Sequence, residues 1–159
     1  MKKFANADSS VQCKAEDFLF DKFKAQYGYD DLKQNQRFWL NEEENDFVIP
    51  DFYSEKHGIV GEIHTHLGAL KPAQKHKVEA DILKMLTIEK ACGKKFTKYI
   101  IVCSEKEKEQ LTESNSYLAF TIKFYDIKVE YYPLSDELQA ELEETVRKQD
   151  MYGKGTENA

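Results

Sequence analysis

The sequence predicts an α/β fold with a central mixed β-sheet and helices on both of its faces, and three observations predict it. The chain opens with apolar residues at helical spacing, three short strand-type runs follow within residues 37–64, and beyond them helical and strand-like segments alternate to the end. The order expected is helix, three strands, helix, strand, then helix, strand, helix.

The opening helix is read from Ser9 to Tyr27, where Val11, Ala15, Phe18, Leu19 and Phe23 share one side and Tyr27-Gly28-Tyr29 supplies a stop. Arg37 to Leu40 reads as a short strand, Asn41 to Asp46 as an acidic turn, and Phe47 to Phe52 as a second strand that Pro50 confines to an edge or brings to an end. Ser54 to Gly58 has turn composition, so the run Ile59 to His64 closes a hairpin. Pro72 suits the first turn of a helix that continues to Cys92, with Val78, Ile82, Met85 and Leu86 inward and Gly93 as terminator. Tyr99 to Cys103 is continuous, β-branched and bounded by charge, the pattern of a buried strand. A helix from about Glu113 to Tyr125, a strand from Lys128 to Tyr132 and a helix capped by Ser135 complete the list. Residues 1–150 read as one domain and 151–159 as a polar tail.

Composition narrows the function. The 41% apolar content of 159 residues is enough for one core without disulfides or a structural metal. Cys13, Cys92 and Cys103 are odd in number and widely spaced, which argues against a disulfide framework and a thiolate zinc site. The apolar runs are far too short to span a bilayer, and no apolar stretch follows Lys2 and Lys3, so no secretory signal is read and a cytoplasmic location is expected. A net charge of -6 argues against a protein that merely coats nucleic acid, but leaves room for an enzyme with a basic strip beside acidic metal ligands.

Chemistry-bearing residues concentrate between Asp51 and Lys84. On a strand, side chains two apart share a face, so Glu62 and His64 project together while Ile63 points the other way. Asp51 lies across the hairpin from them. Two carboxylates close together form a hard-oxygen site suited to Mg²⁺ or Mn²⁺, and such an ion polarises a phosphate and activates water. In the helix that follows, Gln74, Lys77, Asp81 and Lys84 form a polar stripe that reads either as a phosphate-binding surface or as an ordinary solvated face.

Ile49-Pro50-Asp51, a hairpin, and then Gly61-Glu62-Ile63-His64 resemble the signature of the PD-(D/E)XK nucleases, and the Gln/Lys-rich helix after the motif strand is similar to that of some members. The resemblance covers roughly the first two-thirds of the chain. It implies a restriction-endonuclease-like core and a metal-dependent phosphodiesterase acting on nucleic acid, with DNA favoured over RNA. Asp51 and Glu62 would be the metal ligands, Glu16 or Asp17 an outer carboxylate, and Gln74, Lys77 and Lys84 would contact substrate. Where the family has a lysine, this chain has His64. The task of holding water or stabilising the phosphate therefore falls to His64 as a neutral base, or to a migrated lysine for which Lys71 and Lys77 are the candidates. Many members cut as dimers, which makes a homodimer the implied assembly.

Two other readings compete. His64-Thr65-His66, following Ile59 to Ile63, also resembles the strand of the JAMM-type zinc metalloproteases, although Leu67, Gln74 and Lys77 stand where a proline, a serine and an aspartate would be expected. If His64 marks a lost lysine, the domain could instead be an inactive nuclease fold serving as a nucleic-acid-binding or interaction module. The aromatic residues, Tyr117, Phe120, Phe124 and Tyr125 among them, read as core and rim packing or as base-stacking surfaces.

Overall fold

A computed structural model of the chain describes residues 2–153, with side chains from 10 to 152. Its elements in order are α1 (Lys2–Tyr27), β1 (Lys33–Gln34), β2 (Phe38–Trp39), β3 (Phe47–Val48), β4 (Phe52–Ser54), β5 (Ile59–His64), α2 (Pro72–Cys92), β6 (Thr97–Val102), α3 (Glu105–Thr112), α4 (Tyr117–Phe124), β7 (Ile127–Tyr131) and α5 (Asp136–Gly153). Five strands form one mixed sheet in the order β1-β4-β5-β6-β7. β1 and β4, and β4 and β5, pair antiparallel, whereas β5, β6 and β7 run parallel to one another. β2 and β3 pair separately as a small ribbon, which Tyr53 ties to the sheet by donating to the Arg37 carbonyl at 2.9 Å.

Both faces of the sheet are buried, as parallel strands require. Phe52, Ile59, Ile63, Tyr99 and Ile101 pack against Ala15, Leu19 and Phe23 of α1 and Leu142 of α5. On the opposite face Tyr53, Val60, Ile100, Val102 and Ile127 meet Val78, Ile82, Met85 and Ile88 of α2, Leu111 of α3, and Leu118 and Ile122 of α4. Gly61 has a steric reason for its identity: a Cβ there would lie 2.1 Å from the Phe52 ring, which crosses β5 at that point.

The helix expected from Pro72 to Cys92 forms over that span, with Pro72 in its first turn and Gly93 in the left-handed conformation at φ 63° just past its end. Four expectations need correction. α1 begins at Lys2, seven residues before the expected Ser9. The strand expected from Phe47 to Phe52 is two strands in different sheets, because Pro50 cannot donate to a ladder and the chain bends at Asp51. The helix expected from about Glu113 to Tyr125 is α4 alone, capped by Ser116, and a separate charged helix, α3, precedes it with Ser104 as cap. The tail expected from residue 151 begins as helix, since α5 continues to Gly153; the remainder of that tail lies outside the described residues. Among the described residues no helix is long and apolar enough to cross a membrane.

Candidate functional site

The β4–β5 register pairs Phe52 with Gly61, and Asp51 and Glu62 are the next residues beyond that last rung, near enough for the Asp51 charge to act on Glu62. Asp51 is fixed by its own fold: its Oδ2 accepts from the Ile63 N–H at 2.6 Å, and its carbonyl accepts from the Asn35 N–H at 2.9 Å. Glu62 is 2% exposed on the face that looks toward α2. A carboxylate in such a position needs a cationic partner. Lys84 supplies one, its Nζ donating to Glu62 Oε1 at 2.7 Å and reaching Asp81 Oδ1 and the Ile49 carbonyl at 3.4 Å each. Burial, joined by the negative charges of Asp51 and Asp81, pushes the Glu62 carboxyl up to about 8 against the pull of Lys84.

A second chain of charges continues from Asp81 into the interior. Asp81 Oδ2 lies 2.9 Å from His64 Nε2, and His64 Nδ1 lies 3.2 Å from Oε1 of Glu107 on α3. All three side chains are buried, and Glu107 is fully so. Burial alone would make the imidazole neutral, but its hydrogen bonds to Asp81 and Glu107 and their charges outweigh that and raise it to about 9. His64 is therefore an imidazolium held between two carboxylates, with both ring nitrogens occupied. This setting favours the imidazolium over the neutral base expected from its position in the motif.

The other expected site residues are distributed as follows. Glu16 on α1 is half-buried and close enough to Asp51 and Lys77 to feel both charges; burial first, then Asp51, raises its carboxyl, while Lys77 lowers it. Asp17 is turned away and accepts from Gln34 of β1 at 2.8 Å. Lys77 is exposed, with Glu16 and Asp81 within electrostatic reach. Lys71 is the N-cap of α2 and Gln74 is its capping partner, the Gln74 side-chain Oε1 accepting from the Lys71 backbone N–H at 3.0 Å. Of the lysines on this helix, then, Lys84 is the one seated on the motif carboxylate, and neither Lys71 nor Lys77 is.

His64 and His66 do not converge. His66 bonds the Ala69 carbonyl at 2.8 Å, whereas His64 faces the interior, so the expected zinc pair is not assembled. Among the described residues, the group of three imidazole and carboxylate side chains close enough to share one ion is Asp30, Asp31 and His57, at the opposite end of β5. There Lys56 already lies 3.5 Å from Asp30, and the Ser54 hydroxyl lies 2.7 Å from one oxygen of Asp31 and 2.8 Å from the other.

Asp51 and Glu62 fit a Mg²⁺-type ion on their own chemistry. Such an ion is commonly held by one or two carboxylates and keeps several waters, and each of these two residues has one oxygen engaged by the protein and a second oxygen beside it. Burial first, and then the negative charges of Asp51 and Asp81, which Lys84 only partly offsets, hold Glu62 above the usual carboxylate range.

Glu107 is the member of this arrangement that the sequence reading missed. Its signal was present: Ser104 and Glu107 have the S-x-x-E spacing of a helix N-terminus, and the Ser104 hydroxyl does accept from the Glu107 N–H. Compared with protein-family models, with curated proteins and with solved structures, the chain gives no match.

Proposed function

We propose that this chain is a Mg²⁺- or Mn²⁺-dependent nuclease with a restriction-endonuclease-like core of the PD-(D/E)XK class, in which Lys84 of α2 takes the place of the lysine that the motif strand lacks. One observation carries the reading: Lys84 of α2 donates to Glu62 of β5 at 2.7 Å, and Asp51, just before β4, lies close enough for its charge to act on both. Asp51 and Glu62 would hold the ion, with Glu16 as the outer carboxylate. When bound, the ion supplies Lewis-acid polarisation of a phosphodiester and a more acidic water.

The remaining roles belong to the protein. Lys84 places a positive charge where negative charge builds up on the phosphate, and its bond to Glu62 fixes the amine in advance. His64 and Asp81 hold that amine in place, since Asp81 bonds the imidazolium with one oxygen and lies near Lys84 with the other. Lys77 and Gln74, further toward the start of α2, offer contacts to a nucleic-acid backbone, with DNA the preferred substrate by resemblance.

The test is calorimetric titration of Mg²⁺, Mn²⁺ and Zn²⁺ into metal-free protein, followed by a DNA-cleavage assay, with Asp51→Ala, Glu62→Ala and Lys84→Ala as controls. Mn²⁺ binding that is lost in the first two variants, with cleavage lost in all three, supports the proposal. Zn²⁺ binding that survives Asp51→Ala would favour the His64/His66 reading instead. An absence of both binding and cleavage would overturn the enzyme reading in favour of an interaction module.

A further inference from the structure

The five-stranded sheet ends in two unlike margins. β1 is two residues long, whereas β7 runs five residues and, among the described residues, is paired on its β6 side alone. The Tyr132 N–H donates to the Val102 carbonyl at 3.1 Å. Backbone groups alternate sides along a strand, so Lys128 and Glu130 turn theirs toward β6, while Ile127, Val129 and Tyr131 turn theirs outward. An open row of donors and acceptors of this length is a template for another strand.

The helix beside that margin is unusually apolar on its outer side. α2 lies over β5, α3 over β6 and β7, and α4 against β7. α4 buries Leu118, Ala119 and Ile122, yet leaves Tyr117 81%, Phe120 63% and Phe124 68% exposed. The Phe120 and Phe124 rings stack at 5.7 Å, and Tyr125 meets Phe124 edge-on at 5.1 Å. These residues recur at helical spacing, so they form one aromatic stripe along the helix.

The charges of β7 identify the partner. A second copy of β7 running antiparallel and centred on Val129 places Lys128 opposite Glu130 and Glu130 opposite Lys128, so the charges of this strand complement themselves. In that register the outward-facing residues are the ones that exchange backbone hydrogen bonds, and Lys128 and Glu130 occupy the closer, non-hydrogen-bonded pairs where opposite charges attract best. Both side chains are already oriented by their own fold: Glu130 accepts from the Tyr27 hydroxyl, and the Lys128 amine lies 5.9 Å from the centre of the Tyr99 ring. A two-fold axis perpendicular to the sheet keeps α4 of both copies, each with its exposed aromatic stripe, on the same side of the joined sheet.

We infer that β7 and α4 form an interface at which this chain pairs with a second copy of itself, joining two sheets into one. The inference does not depend on the nuclease reading, and its test does not use activity. Sedimentation velocity of the full chain over a dilution series should show a dimer that dissociates on dilution. Hydrogen exchange on the same samples should show the amides of Ile127, Val129 and Tyr131 protected in the dimer and exposed on dilution, with those of Lys128 and Glu130 protected throughout. Lys128→Glu should weaken the dimer by about tenfold or more, and the charge-swapped Lys128→Glu/Glu130→Lys chain should recover it. A monomer at every concentration overturns the inference, as does a dimer whose Ile127, Val129 and Tyr131 amides exchange freely; both readouts use the unaltered chain and stand even if a variant fails to fold.

Discussion

Lys84 and Glu62, 22 residues apart, meet at 2.7 Å between the middle of α2 and a buried position on β5. If this amine does the work assigned to it, Lys84→Ala should lower single-turnover DNA cleavage by roughly 10²–10³-fold, the range for loss of one preorganised electrostatic donor. Lys71→Ala, which alters the cap of α2 and nothing near Glu62, should leave the rate within about twofold on the same scale. Equal losses in the two variants would remove Lys84 from its role.

His64 is more a structural cation than a reactive one, and its removal should show in stability. His64→Phe leaves Asp81 and Glu107 buried without their shared partner, a change of the kind that costs about 3–5 kcal/mol. Urea denaturation of the wild type and the variant measures this. Adding Asp81→Leu and Glu107→Leu to His64→Phe should recover much of the loss, because an apolar replacement leaves no buried charge uncompensated.

Gly61→Ala should destabilise by about 1–3 kcal/mol, the usual cost of forcing extra volume into a packed core. The Phe52 ring cannot withdraw freely, since Phe23 packs against it at 4.8 Å and Phe20 at 5.7 Å. Pairing Gly61→Ala with Phe52→Leu should cost less than the sum of the two single changes, and thermal or chemical melts of all four proteins test that non-additivity.

Acid should weaken the fold through Glu89. Burial disfavours its ionised form, but the hydrogen bond from buried Lys98 at 2.7 Å, the bond from the Phe96 N–H and the Lys98 charge outweigh it and hold the carboxyl below the ordinary range. A carboxyl depressed in the folded state contributes stability that is present above its unfolded value of 4.5 and is lost as pH falls through the folded value. Between neutral pH and the region below 4.5, the wild-type melting temperature should therefore fall more steeply than that of Glu89→Gln. Parallel curves would exclude this linkage.

The parts of the fold that could be read from the sequence are those bounded by residues with a single conformational meaning. α2 was legible because Pro72 and Gly93 mark its ends and an apolar stripe runs between them. α3 was not: Glu105 to Thr112 carries only Leu111 as a buried apolar residue, so its helical period is nearly silent and only the Ser104–Glu107 spacing announced it. The site divides in the same way. Strand alternation and hairpin register were enough to bring Asp51 near Glu62 across the hairpin and to put His64 on the Glu62 face. Spacing along α2 set Lys84 in a polar stripe, but could not tell which part of that stripe would turn inward onto β5. Nor could it reveal that Glu107, from a helix beyond β6, would close around His64. These contacts are decided by how helices dock on the sheet, and nothing local in the chain encodes that.

β5 is antiparallel to β4 on one side and parallel to β6 on the other, and this gives the two halves of the site different histories. The β4–β5 hairpin needs only a short turn, so the approach of Asp51 to Glu62 is of the kind that chains make within microseconds. Lys84 reaches Glu62 only when α2 has docked as part of the crossover to β6, a connection with a larger loop-closure cost. Local opening has the same asymmetry in reverse: a motion that lifts α2 from the sheet takes Lys84 and Asp81 away together, while the carboxylates of Asp51 and Glu62 stay where the hairpin holds them.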